Sequence, residues 1–109
     1  MSVVTELVTI TLDGQEFHLK NTLQVRKDFC IKFGGIRPVI QAMTDLNDYV
    51  IAQIIGVASG SKKKTDKIFE LVVSEGPKSV SNQMSEYVAF LIGEDDEDDE
   101  PGNDQAAES

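Results

Sequence analysis

Reactive and metal-binding side chains are scarce in this 109-residue chain, which has one Cys, one His and no Trp. A lone Cys30 cannot close an intramolecular disulfide. One His and one Cys also fall short of the Cys/His ligand set that a structural zinc site needs. A nucleophilic thiol requires a neighbouring His or Lys to lower its pKa. His18, the single His, falls at a solvent-facing position of a strand pattern, so Cys30 reads as a buried, reduced thiol on an apolar helix face. No phosphate-cradling glycine loop, paired carboxylates or nucleophile motif is present. No catalytic, cofactor-binding or metal-ligating residue is assigned, and the expectation is a protein without enzymatic activity. Aromatic residues make up only 6% of the chain against 40% hydrophobic residues overall, so the core must be mainly aliphatic. No apolar run is long enough to span a bilayer. The N-terminus lacks the basic-then-apolar order of a secretory leader, which predicts a cytoplasmic protein with no membrane partner.

Basic residues are absent from positions 94–109, which hold nine of the chain's 19 acidic residues. The ten acids left in 1–93 balance the ten bases there, so the net charge of −9 belongs to a tail. A neutral body offers no basic face, which argues against a nucleic-acid partner. The tail has no hydrophobic residue larger than Ala. It cannot bury enough surface to offset its ordering entropy and is expected to be disordered, as a solvating segment or regulatory guard. A calcium loop fails on spacing: placing Gly102 at the glycine position puts Pro101 where a ligand belongs. The domain reading is therefore 1–93 folded and 94–109 an acidic tail.

What is present begins with Val8, Ile10 and Leu12 alternating with Thr9 and Thr11, the period of a half-buried strand. Asp13-Gly14 follows, the strongest short hairpin signal. Phe17 and Leu19 then alternate with Glu16, His18 and Lys20. Such a hairpin is unstable alone and needs a helix over its apolar side, which the next segment is expected to supply. Asn21 or Thr22 caps that helix, and Val25, Phe29 and Phe33, with Cys30 beside them, form its apolar face. Gly34-Gly35 ends it.

Pro38 fits the first turn of a second helix with a buried stripe of Val39, Ile40, Met43 and Leu46. Asp45 or Asn47 caps a third helix carrying Tyr49, Val50, Ile51, Ile54, Ile55 and Val57, weakened at its end by Gly56 and Gly60. Nearly apolar all round, it is either the central core helix or a partner-facing surface, and Tyr49, Ile51 and Ile55 are its candidate partner-binding residues. Ser59–Lys64 is a loop whose three lysines read as a solvated face, with binding of phosphate or an acidic partner as the alternative. Thr65 caps a fourth helix bearing Ile68, Phe69, Leu71 and Val72, stopped by Glu75-Gly76-Pro77. A fifth, capped by Ser79, places Val80, Met84, Tyr87, Val88, Leu91 and Ile92 on one face. The fold class is α+β: a short N-terminal β-hairpin followed by a bundle of about five helices.

Across roughly residues 5–93 this pattern resembles the small tail assembly chaperones of long-tailed phages and gene transfer agents. The residues that carry the resemblance are Leu12, Asp13-Gly14, Phe17-His18-Leu19-Lys20 and Thr22-Leu23. Phe33-Gly34-Gly35, the segment Leu46 to Ile51 leading to Gly60, and Leu71 to Gly76 add to it. The resemblance implies a chaperone of virion assembly in the host cell cytoplasm, absent from the mature particle. It would bind the tape measure protein, help recruit tail tube subunits, and be able to self-associate. The alternatives are a structural tail component, such as a tube or terminator subunit, and a small acidic regulatory protein.

Overall fold

The computed structural model describes residues 6–93, so the acidic tail expected at 94–109 lies outside the described residues. Strands β1 (Glu6–Leu12) and β2 (Gln15–Asn21) pair antiparallel, with Leu12 opposite Gln15 and Val8 opposite Leu19. The two-residue turn between them holds Asp13 at φ 50° and Gly14 at φ 82°. Positive φ at both central residues is the signature of a primed turn, whose twist matches that of the flanking strands. Val8, Ile10, Leu12, Phe17 and Leu19 are buried on one face, while Thr9, Thr11, Glu16, His18 and Lys20 are exposed on the other. On that exposed face Thr9 Oγ1 and His18 Nδ1 are 3.0 Å apart across the strands.

Six helices follow: α1 (Leu23–Phe33), α2 (Ile36–Thr44), α3 (Asp48–Ser59), α4 (Thr65–Glu75), α5 (Pro77–Gln83) and α6 (Ser85–Leu91). The cover over the hairpin is not chiefly α1, as the sequence suggested. α3 packs widely on β2, and α4, α5 and α6 meet β1. The central-helix reading of α3 holds: Ile51, Ala52, Ile54, Ile55 and Ala58 are buried, and α3 touches β2, α1, α2 and α4. Each fully buried isoleucine contributes about 1.5–3 kcal/mol. Gly56 lies in the last turn of α3, and the helix runs through it to Ser59. A Cβ there would stand 3.3 Å from Ile68 Cδ1 of α4, a tight contact with the end of one side chain.

Thr22 caps α1, its Oγ1 accepting from the Val25 amide at 3.2 Å, and Asn47 caps α3 through Val50 at 3.4 Å. Thr65 does not act as a cap; Lys64 precedes α4 in extended backbone and no side chain bonds that helix start. Cys30 is exposed, contrary to the buried thiol expected. At 100° per residue it lies a quarter-turn past Phe29, outside the narrow arc of Val25, Phe29 and Phe33 that faces the core.

The predicted stripe of α2 also breaks at Leu46. Thr44 ends the helix, and Leu46 takes φ 56° while 42% exposed. The Leu46 amide donates to Met43 O at 3.2 Å and the Asn47 amide to Ala42 O at 2.9 Å, the paired bonds of a Schellman stop. These bonds hold a leucine in left-handed backbone at a cost of about 1–2 kcal/mol.

The single fifth helix expected from 79 onward is two helices, with the break at Met84 (φ −87°, ψ 0°). α5 begins earlier, with Pro77 in its first turn after Gly76. Ser79 does not cap it but donates its hydroxyl to Glu75 Oε2 at 3.0 Å. The break leaves Val80, Met84, Tyr87 and Leu91 all buried, so one apolar face spans both helices.

Polar side chains tie this pair to the hairpin. The Gln83 amide donates to Thr11 O at 3.0 Å and accepts from Thr11 N at 2.8 Å. Glu75 Oε1 accepts the Asp13 amide at 3.0 Å. Arg26 donates to Leu91 O at 2.9 Å and Asn21 Nδ2 to Phe90 O at 3.3 Å, which satisfies carbonyls at the α6 C-terminus and sets a cation against its dipole. The fully buried Tyr87 donates its hydroxyl to Lys20 O at 2.7 Å, and burial raises its pKa.

Replacing Tyr87 by Phe leaves the Lys20 carbonyl without its partner and should cost about 1–2 kcal/mol in urea unfolding, with the m-value unchanged. Glu75 has its pKa lowered from 4.5, first by the Asp13 amide and then by the Ser79 hydroxyl. A depressed carboxylate contributes fully above its unfolded pKa and loses that contribution as pH falls through the folded value. The Tm gap between wild type and Glu75→Gln should therefore be open at neutral pH and close as pH drops below 4.5.

Candidate functional site

Two features of the surface are not explained by folding: large aliphatic side chains in water, and a run of adjoining clefts. α1 carries both a core stripe and a second stripe. Val25 and Phe29 are buried on one side, while Leu23 is 88% and Ile31 70% exposed on the other. Leu23, Lys27 and Ile31 recur every four residues, so they stack along one helix face roughly opposite the core-facing one. Cys30 flanks that outer face. Ile92, just past α6, is 49% exposed.

Three open clefts of about 420 Å³ each adjoin one another. The first lies between α2 and the end of α6 and is lined by Ile36, Arg37, Ile40, Gln41 and Ile92. Gln41 also lines the second, which Phe33, Pro38, Ala42 and Val50 floor at the meeting of α1, α2 and α3. Lys32 and Phe33 pass from the second into the third, where Gly56 and Val57 of α3 face Ser61 and Lys63 of the loop before α4. A smaller cleft then shares Lys63 with Gln15, Lys67, Glu70 and Leu71. Shared residues thus join the clefts into one band, running from Ile92 along α2, past the end of α1, to the lysine loop.

Apolar side chains floor the first two clefts, the third is more polar, and the rim of the band is mostly cationic: Arg37, Lys32, Lys63 and Lys67 against Asp45 and Glu70. Glu70 is engaged by Lys67 at 3.8 Å, so Asp45 is the one acid on the rim with no salt bridge among the described residues. No protein-family model, curated protein or solved structure matches this chain.

The sequence-derived partner residues separate in the structure. Tyr49 is 41% exposed, donates to Asp66 Oδ1 at 3.0 Å and meets Phe69 edge-on at 5.2 Å between ring centroids. The hydrogen bond to the Asp66 carboxylate, then its charge, raises the phenol pKa. Ile51 and Ile55 are fully buried and belong to the core, not to a surface. The reason is the wrapping of α3: with four elements around it, only Tyr49 in its first turn and a half-buried flank reach solvent. Among the described residues no three His, Cys, Asp or Glu side chains gather as a metal site, and no helix is long and apolar enough to cross a membrane.

The α1 outer stripe and Ile36 escaped the sequence reading, and Ile40, expected in the buried stripe of α2, is only half-buried and lines the first cleft. A signal for both existed. Leu23 and Ile31 are apolar residues left over once the Val25, Phe29 and Phe33 face is assigned. Ile36 likewise widens the α2 stripe beyond Val39, Ile40 and Met43.

Mutational stability should divide along the same line. Ile51→Asp buries an unpaired charge and should unfold the protein or cost upwards of about 4 kcal/mol. Leu23→Asp and Ile31→Asp should each stay within about 0.5 kcal/mol of wild type by thermal melting.

Proposed function

We propose that the chain is a non-enzymatic phage tail assembly chaperone that binds the tape measure protein and helps recruit tail tube subunits. The observation that carries this reading is the aliphatic face of α1, with Leu23 at 88% and Ile31 at 70% exposure on a protein whose other large apolar side chains are mostly covered. A tape measure protein is a long helical molecule with apolar surface that aggregates when uncovered. A small helical protein can shield it by laying aliphatic stripes and shallow apolar clefts against its helices. The cleft band is a second partly apolar surface, which meets α1 at its C-terminal end, where Lys32 and Phe33 line two of the clefts. The resemblance through Asp13-Gly14, Phe17 to Lys20, Thr22-Leu23 and Leu71 to Gly76 points the same way. The predominance of helices over a single hairpin favours this reading over a tube subunit, a class usually dominated by β-sheet.

Co-expression with the longest helical protein encoded beside this gene, followed by pull-down and size-exclusion with light scattering, tests the proposal. The expected result is a soluble complex with many copies of this chain per partner. The double variant Leu23→Asp/Ile31→Asp should remain folded yet lose at least about tenfold in affinity, about 1.4 kcal/mol. Assembly of the chain alone into tubes or rings would overturn the chaperone reading in favour of a structural subunit.

A further inference from the structure

We propose that the chain's own acidic segment, 94–100, docks along the cleft band and lies against Lys32 and Lys63, an intramolecular occupant of a surface otherwise open to acidic partners. The described chain ends beside the first cleft. Ile92 lines the first cleft together with Arg37, and Gly93 follows it, so the acidic segment leaves the body at the mouth of the band. The next seven residues, Glu94 to Glu100, are all carboxylates. Extended, seven residues cover about 23–25 Å.

The rim of the band supplies the complementary sign in series. Arg37 stands in the first cleft, Lys32 where the second joins the third, and Lys63 where the third joins the last. Lys62 and Lys64 flank Lys63 on the same exposed loop. Asp45 opposes the segment in the second cleft, but three cations outnumber it along the path. Ser61, Thr65 and Gln53 offer hydrogen-bond donors in the third cleft. Tethering raises the local concentration of the segment to about the millimolar range, so contacts that are individually weak suffice to populate the docked state. The attraction is between exposed charges and is screened by salt.

This inference concerns the chain alone and stands or falls without any partner. The experiment compares amide NMR spectra of the full chain with those of a full-length variant whose seven carboxylates at 94–100 are replaced by Asn and Gln. Both are recorded at about 0.02 M and about 0.5 M NaCl, where the Debye length falls from roughly 20 Å to roughly 4 Å. The expected result is a set of shift differences at Lys32, Gln53, Gly56, Ser61 and Lys63 in low salt that vanishes in high salt. Lys32→Glu/Lys63→Glu in the full chain should remove the same differences, and both sites are exposed, so its fold is retained. A synthetic peptide of sequence 94–100 should bind the neutralised-tail variant about tenfold more tightly than the native chain. Differences confined to the residues next to Gly93, spread equally to Lys20 and Lys78, or unchanged by salt would overturn the proposal.

Discussion

Everything in this fold depends on the burial of α3 against the apolar face of the hairpin. A two-stranded sheet has one face to hide and too little surface to hide it with. α3 is apolar on nearly every side and cannot stand in water either. Each resolves the other's difficulty: β2 covers one side of α3, and α1, α2 and α4 take the remainder. Gly56 faces Ile68 on the α4 side, where a Cβ would be a tight contact. The periphery inherits its position from this contact, including the α5–α6 pair that the side chains of Gln83, Tyr87 and Asn21 bind to the strands.

The same arrangement accounts for what was legible in the sequence. The hairpin is written in local code, an alternation of two and an Asp13-Gly14 turn, and it appears in its expected register. Helix starts at Thr22 and Asn47 and stops at Gly34 and Gly60 were equally local. Cys30, Leu46, Ile51 and Ile55 were less readable because a helical wheel gives the apolar arc but not how much of it a neighbour covers. On α1 the covered arc is narrow and Cys30 falls outside it. On α3 it is nearly the whole circumference, and Ile51 and Ile55 are enclosed. Leu46 was lost to a backbone stop whose hydrogen bonds outweigh the tendency of leucine to continue a stripe. The division at Met84 left no mark in the periodicity, since the buried face continues through it.

The surface reading follows from a comparison of sides. The hydrophobic residues that folding requires face inward, around α3. Leu23, Ile31 and Ile92 face outward, and Ile92 lines the first of a run of clefts with a mostly cationic rim. A helical partner could use the apolar part and an acidic segment the cationic part, so one band of surface admits two occupants of different chemistry. Competition between them would make release of the surface sensitive to ionic strength.

The side-chain amide of Gln83 has a wider meaning than its two hydrogen bonds. An outer strand is a template: its unpaired amides and carbonyls invite another strand to add, and another after that. Gln83 presents to Thr11 the donor and acceptor that an incoming backbone would present, and Glu75 takes the next outward amide at Asp13. The turn end of β1 is thus occupied by imitation peptide groups that cannot propagate. For a protein whose proposed work is done amid subunits polymerising around it, that end of the β1 edge is closed against becoming the first layer of something longer.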